Sequence, residues 1–314
     1  MGIKLLNKLL EEKYSKSTKT RKHLSYFKGK KIAIDISIYL YNFKRSSDNW
    51  PRELYRMCII LRHYKIDALF VYDGETRDEK KKTIEIRQQK KEDVWQEIVK
   101  LEEDLKEIED EEKRRILENK IKLMKRGIKG VTRDDLILSK QLLKYCGMNY
   151  IESEREADDV CAALCKKNIV YGVMSNDTDM FAFGCGRILK NLNLTTHHVE
   201  FYNLDDVLVK LRMGYEDFKS LCILSGTDYN FTDRNIFYFY YRYGRYLTSR
   251  DNIDFVGWLM KNRNINSIVY NELMKVRDLY DVNKTRPLSK MKFIRIKNKK
   301  MDVEMVNRML FGDE

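Results

Sequence analysis

Lys31-Ile32-Ala33-Ile34-Asp35 is a short apolar, β-branched run that ends on a carboxylate. Its length and composition predict a buried strand. Ala68-Leu69-Phe70-Val71-Tyr72 repeats the pattern and runs into Asp73-Gly74. Residues 168–174 repeat it again, shortly before Asp177. Between these runs lie amphipathic helical patterns at 52–64, 133–146 and 155–166, the second with Thr132 as its N-cap. Strands that alternate with helices predict an α/β fold, a mostly parallel twisted sheet flanked by helices on both faces.

Residues 77–127 break that rhythm. They are dense in Lys, Arg and Glu and contain no Pro. Trp95, Ile98, Leu101, Leu105 and Ile108 recur at threes and fours, which is a helical spacing. Gly127 and Gly130 close the segment, which is expected to form a helical arch or hairpin inserted in the α/β fold. Charge alone supports only the plainer reading, a solvated pair of surface helices.

The chain has 314 residues with 61 Lys and Arg against 48 Asp and Glu, a formal +13. Such a surface attracts polyanions, nucleic acid first and an anionic membrane as the rival. No apolar run approaches the roughly 18–20 residues that span a bilayer, and no signal-like apolar segment is present. Met1-Gly2-Ile3 opens like a myristoylation site, but Leu6 stands where Ser or Thr is needed. A soluble protein is expected, with no membrane partner. Cys58, Cys146, Cys161, Cys165, Cys185 and Cys222 form no CxxC pair and read as free, buried thiols. The expected compartment is therefore intracellular and reducing, nucleus or cytoplasm. His197 and His198 read as strand neighbours that point to opposite faces, not as a ligand pair.

Asp35, Asp73 and Asp177 each sit at or just past the carboxyl end of an expected parallel strand. Ligand sites of open α/β sheets form at that edge. One such Asp is ordinarily a turn or cap residue, but three acids at one edge repel one another and call for cations. Asp179 follows Asp177 by two positions. Glu156 and Asp158 open the helix at 155–166, where the helix dipole favours a carboxylate. Asp228 follows Leu221-Cys222-Ile223-Leu224-Ser225-Gly226-Thr227, a helix run into a Gly turn. If these residues meet, the donors are all oxygen, with no His or Cys, which suits Mg²⁺ or Mn²⁺. On a basic protein the simplest use of two such ions, about 4 Å apart, is phosphodiester hydrolysis.

These segments resemble the flap endonuclease group of structure-specific 5′-nucleases. The match runs through Met1-Gly2-Ile3, Ile32-Ala33-Ile34-Asp35, Val71-Tyr72-Asp73-Gly74 and Glu156-Ala157-Asp158 with Cys161-Ala162-Ala163-Leu164. It continues through Asn176-Asp177-Thr178-Asp179, Phe183-Gly184 and the run from Leu221 to Tyr229. The resemblance covers residues 1 to about 230, in order and with family-like spacing. It implies cleavage of 5′-flap or branched DNA in replication or repair. It implies Asp35, Asp73, Glu156 and Asp158 around a first Mg²⁺, and Asp177, Asp179 and Asp228 around a second, with Mn²⁺ as a substitute. Asp158 stands where relatives more often carry Glu, so its ligation is expected to run through water. Lys80 and Arg87 match the family's basic pair on the first arch helix, placed to steer the scissile phosphate. Tyr41 aligns with an aromatic that stacks on a base, with a core tyrosine as the plainer reading. Gly2 belongs to the amino terminus that packs near the site in relatives.

The chain departs from the family twice. Relatives follow the last Asp with a Gly-Ile-Gly turn inside a helix-two-turn-helix that grips duplex and binds K⁺. Here the run is Phe231-Thr232-Asp233-Arg234-Asn235-Ile236-Phe237, without either glycine, and Tyr238-Phe239-Tyr240-Tyr241 continues it. K⁺ binding is doubtful, and the aromatic run either rebuilds the turn as a packed helix or meets DNA by other means. The family's sliding-clamp motif is absent, since the last Gln is Gln141. The expected organisation is a catalytic domain over 1–262 and a helical, basic extension over 263–314. The catalytic domain comprises 1–76, the arch 77–127 and 128–262. In the extension, Lys284, Arg286, Lys290, Lys292, Arg295 and Lys297 are candidates to hold duplex backbone. A monomer is expected. A 5′–3′ exonuclease, a junction resolvase and an inactive DNA-binding scaffold stand as alternatives.

Overall fold

The computed structural model describes residues 2–13, 20–249, 251–282, 292–294 (backbone only) and 300–311. Lys284, Arg286, Lys290, Arg295, Lys297 and the Lys292 side chain, the expected duplex-holding patch, lie outside it.

Among the described residues, eight strands form one sheet: β1 (Thr20–His23), β2 (Lys31–Asp35), β3 (Asp67–Tyr72), β4 (Asn149–Glu152), β5 (Gly172–Met174), β6 (Arg187–Asn193), β7 (His198–Asn203) and β8 (Lys292–Ile294). The early helices are α1 (Leu6–Lys13), α2 (Ile36–Ser46), α3 (Trp50–His63), α4 (Lys81–Glu107), α5 (Glu111–Ile128), α6 (Arg133–Tyr145) and α7 (Ala157–Lys166). Then follow α8 (Asp179–Ala182), α9 (Leu204–Leu211), α10 (Tyr215–Leu224), α11 (Ile236–Thr248), α12 (Phe255–Lys261), α13 (Ser267–Leu279) and α14 (Val303–Phe311).

The sheet order is β1-β7-β6-β5-β2-β3-β4-β8. β6, β5, β2 and β3 are parallel, and antiparallel pairs β1·β7, β7·β6 and β4·β8 finish the edges. The parallel centre explains the unbroken apolar runs. Ile32, Ala33 and Ile34 are all fully buried, because both faces of the strand are covered. The strand expected over 168–174 is only β5. Residues 167–171 complete the turn after α7, with Asn168 in a left-handed conformation.

The chain folds into two compact units. The first comprises residues 1–35, 60–76 and 150–295, and holds the sheet with α1 and α7 through α13. The second comprises 36–59, 77–149 and 296–314, and holds α2, α4, α5, α6 and α14. All six cysteines are buried, and none is in a disulfide.

In the second unit, α4 and α5 are joined by three residues, and Lys120–Glu97 (3.3 Å) and Lys125–Glu102 (2.6 Å) ion pairs stitch them together. Asp48 accepts from Arg126 and Lys129, which tethers α5 to the turn before α3 and holds the Asp48 carboxyl below its usual range. Thr132 caps α6 in a reciprocal capping box with Asp135.

In the first unit, the segment that lacks the family glycines is a packed helix start. Asn235 caps α11 by accepting from the Phe237 (3.0 Å) and Tyr238 (3.2 Å) amides. Ile236, Phe239 and Tyr243 are buried, and Arg234 lies over the Tyr238 ring. The histidine pair also differs from expectation. His197 takes a left-handed turn (φ 55°) before β7, so strand alternation does not separate it from His198. Tyr64 contacts the rings of His23, His63 and His197, and His198 meets His23.

Candidate functional site

Register places the acids. β5, β2 and β3 are parallel neighbours, so their carboxyl ends share one edge. Asp35 ends β2, Asp73 follows β3, and Asp177 and Asp179 follow β5. Gly74 makes the approach at Asp73 possible. Its amide donates to Arg155 O (2.6 Å), and a Cβ there would stand 2.8 Å from Glu154 O. That contact brings Asp73 over the start of α7, where the Ala157 amide donates to Asp73 Oδ1 at 2.7 Å. α7 packs on β2, β3 and β5, with Glu156 at its N-cap and Asp158 in its first turn.

A chain of hydrogen bonds joins the edge. The Ser175 hydroxyl donates to Asp35 Oδ2 (3.2 Å) and accepts from the Asp177 amide (3.1 Å). The Asp179 amide in turn donates to Asp177 Oδ1 (3.0 Å). Tyr229 OH donates to Glu156 Oε2 and Tyr280 OH to Asp179 Oδ2, each at 2.8 Å. Asp228 is buried in the turn after α10, between Thr227 and Tyr229. Asp35, Glu156, Asp177 and Asp179 are buried too, while Asp158 is half-buried and Asp73 exposed.

The neighbours register the charge. Burial pushes the Cys161 thiol up, and the charges of Asp35, Asp158 and Asp73 push it further. Cys222 rises through burial and then Asp179. Burial, followed by the charge of Asp179, raises the Tyr280 phenol well above its usual range, so it stays a donor.

Gly2 lies against this edge with φ 80°. A Cβ there would stand 2.5 Å from Thr178 Oγ1 and 2.7 Å from Asp179 Oδ1, and closer still to Asp177 Oδ1. The Ile3 amide donates to Thr178 Oγ1 at 2.7 Å. Among the described residues, no three His, Cys, Asp or Glu side chains already close on one metal-sized point. Hydrogen bonds through Ser175 and the Asp179 amide link Asp35, Asp177 and Asp179 into one array, which is not a closed coordination shell. Divalent ions fit its chemistry: the donors are oxygens only, and the missing Gly2 side chain leaves two Oδ1 atoms facing one small space.

Lys80, Arg87 and Tyr41 belong to the second unit. Lys80 precedes the helix, closing a 3₁₀ turn (Asp78–Lys80) as the N-cap of α4, whereas Arg87 is within α4. Both are half-buried, in line with the buried Thr83, while Lys90 is exposed. Tyr41 is half-buried on α2, between the buried Tyr39 and Phe43.

Three contributors escaped sequence reasoning. Ser175 and Tyr229 carried a usable signal, since each adjoins an assigned strand end or acid. Tyr280 carried none, because 101 positions separate it from Asp179.

Comparison with known proteins places the chain. Residues 1–94 match the XPG N-terminal domain and residues 147–228 the XPG I-region, together more than half of the chain. Flap endonuclease 1 of Glycine max is 34% identical over 247 residues, which cover 73% of this chain and 62% of that protein. Flap endonuclease 1 of Encephalitozoon cuniculi (strain GB-M1) is 29% identical over 292 residues, covering 88% of this chain and 77% of that one. The catalytic core of Rad2 in complex with a DNA substrate superposes with a TM-score of 0.63 at 21% identity, over 98% of this chain and 94% of that one. That likeness shows a shared α/β fold. Among the described residues no helix is long and apolar enough to cross a membrane.

Proposed function

Since the chain belongs to the XPG and flap endonuclease family of nucleases, we propose that it is a Mg²⁺-dependent, structure-specific 5′-nuclease that cuts branched DNA carrying a single-stranded 5′ flap. One observation supports this reading above the others. Acids from the ends of three parallel strands, from the N-terminus of α7 and from the turn after α10 belong to the same unit, and most are buried. Such mutual repulsion has no structural use and would weaken the binding of a polyanion, but it suits divalent cations.

Asp35, Asp73, Glu156 and Asp158 are the proposed holders of one ion, and Asp177, Asp179 and Asp228 of the other. Bound there, two divalent ions would supply an activated water and offset charge on the attacking and leaving oxygens. The chain's own residues do the rest. Ser175 keeps Asp35 and Asp177 in register, and Gly2 leaves clear the space that Asp177 and Asp179 face. Lys80 and Arg87 are proposed to meet the scissile phosphate, Tyr41 to stack on a neighbouring base, and the +13 surface to draw the duplex in.

The test compares 5′-flap, blunt, gapped and four-way-junction DNAs with Mg²⁺ and with excess EDTA. Flap cleavage near the branch, abolished by EDTA, is expected. Cleavage that persists in EDTA overturns the metal mechanism. A preference for the junction or the blunt end overturns the flap assignment.

A further inference from the structure

Two buried phenols hold two of the acids. Tyr280 donates to Asp179 Oδ2 at 2.8 Å. Tyr229 donates to Glu156 Oε2 at 2.8 Å, and its amide is bonded to Thr227 Oγ1 at 3.1 Å. The two rings meet edge to face at 5.5 Å and 82°, and Phe183 packs on Tyr280 at 4.7 Å. A hydroxyl in an apolar core needs a partner, and a carboxylate makes that bond strong and directional.

Each carboxylate has two oxygens. The bond from Tyr280 engages Asp179 Oδ2, while Oδ1 faces Gly2 beside Asp177 Oδ1. Tyr229 engages Glu156 Oε2 in the same way. We infer that Tyr280 and Tyr229 are positioning residues, which set the oxygen that Asp179 and Glu156 each present to a divalent cation. This rests on the nuclease reading above. The linked rings join the acids proposed for one ion to those proposed for the other. They also make α13, whose C-cap is Tyr280, a support of the site and not an appendage.

Tyr280→Phe and Tyr229→Phe each remove one oxygen and keep the ring. Tyr202→Phe is the control, because it deletes a phenol–carboxylate bond to Glu200 (3.3 Å) that holds none of these acids. Mn²⁺ binding to the DNA-free full chain is measured by electron paramagnetic resonance. The Mg²⁺ dependence of single-turnover flap cleavage is measured beside it. Partners that orient metal ligands are worth about 10- to 100-fold in affinity, so the half-saturating metal concentration is expected to rise by that factor in both variants. It should stay unchanged in Tyr202→Phe, and at saturating Mg²⁺ the rate should return to within a few-fold of wild type. Variants that melt lower yet titrate with metal like wild type would show that the phenols only pack, and the inference is overturned. Each variant is read separately, so one that does not fold leaves the other to decide. A wild-type chain that binds no Mn²⁺ and leaves the flap intact removes the nuclease reading itself, and this inference with it.

Discussion

Gly2→Ala adds one methyl group at the point where the carboxylate edge has least room. The added Cβ would stand 2.5 Å from Thr178 Oγ1 and 2.7 Å from Asp179 Oδ1, with Asp177 Oδ1 nearer still. An ordinary carbon–oxygen contact needs about 3.5 Å, so a displacement of about 1 Å must be shared between the amino terminus and the two acids. The left-handed backbone (φ 80°) adds about 1–2 kcal/mol of strain for any residue with a Cβ. A displacement of about 1 Å among reacting groups costs on the order of a hundredfold in rate. Gly29→Ala separates the two effects, because Gly29 has φ 72° and nothing within 4 Å of its would-be Cβ. It should lose the backbone term in stability and keep wild-type cleavage. Gly2→Ala should lose about a hundredfold in single-turnover flap cleavage at saturating Mg²⁺, and at least the same backbone term as Gly29→Ala in a urea melt, because the buried Ile3 and its bond to Thr178 (2.7 Å) hold the segment against the acids. If Gly2→Ala cleaves within a few-fold of wild type, or if Gly29→Ala slows as much, the acids near Gly2 do not form the reacting centre.

Asp179→Ala removes a proposed ligand, and flap cleavage should fall about 10²- to 10⁴-fold, equivalent to about 2.7–5.5 kcal/mol, with DNA affinity in Ca²⁺ retained. Lys80→Ala and Arg87→Ala should lower single-turnover cleavage far more than affinity, with Lys90→Ala, an exposed neighbour on α4, as the control; equal and modest effects at all three would reduce the segment to an electrostatic surface. Burial alone would raise the Asp135 carboxyl, but hydrogen bonds from Lys44 and Thr132 outweigh it and hold it below its ordinary 3.8. A depressed acid stabilises the fold above 3.8 and loses that contribution as pH falls through its folded value. Asp135→Asn should therefore cost about 1–3 kcal/mol in urea melts at pH 7, and flatten the loss of stability below pH 4, whereas a parallel acid limb would contradict the assignment.

What the sequence revealed follows from where the energy sits. β2 and β3 are covered on both faces, and their unbroken apolar runs announce them. β6 and β7 lie nearer the edge and read less clearly, and the turn between them uses His197 in the left-handed region where a glycine signal is usual. Asp35, Asp73 and Asp177 were legible because strand ends share an edge once the order is parallel. Tyr280 was not, because packing across the core, and no local spacing, brings it to Asp179. Lys80 and Arg87 have helical spacing, yet Lys80 lies one residue ahead of α4, since the chain enters that helix through a 3₁₀ turn. The missing glycines after Asp228 left two readings of the aromatic run. The packed one is present, because Asn235 supplies the cap.

The first unit is assembled from three separate stretches of chain: Ser175 in the third reaches Asp35 in the first across 140 positions, and within the third Tyr280 reaches Asp179 across 101. Translation makes these parts in order. At about 5–20 residues per second, a ribosome needs about 10–40 s between Asp35 and Asp228, and more before Tyr280 leaves the tunnel. Throughout that interval the acids appear one after another and the array is incomplete. A nascent chain thus has no finished centre to turn on the polynucleotides that surround its own synthesis. Stalled chains that end before Tyr280 are expected to leave flap DNA intact, and released full-length chains to cut it.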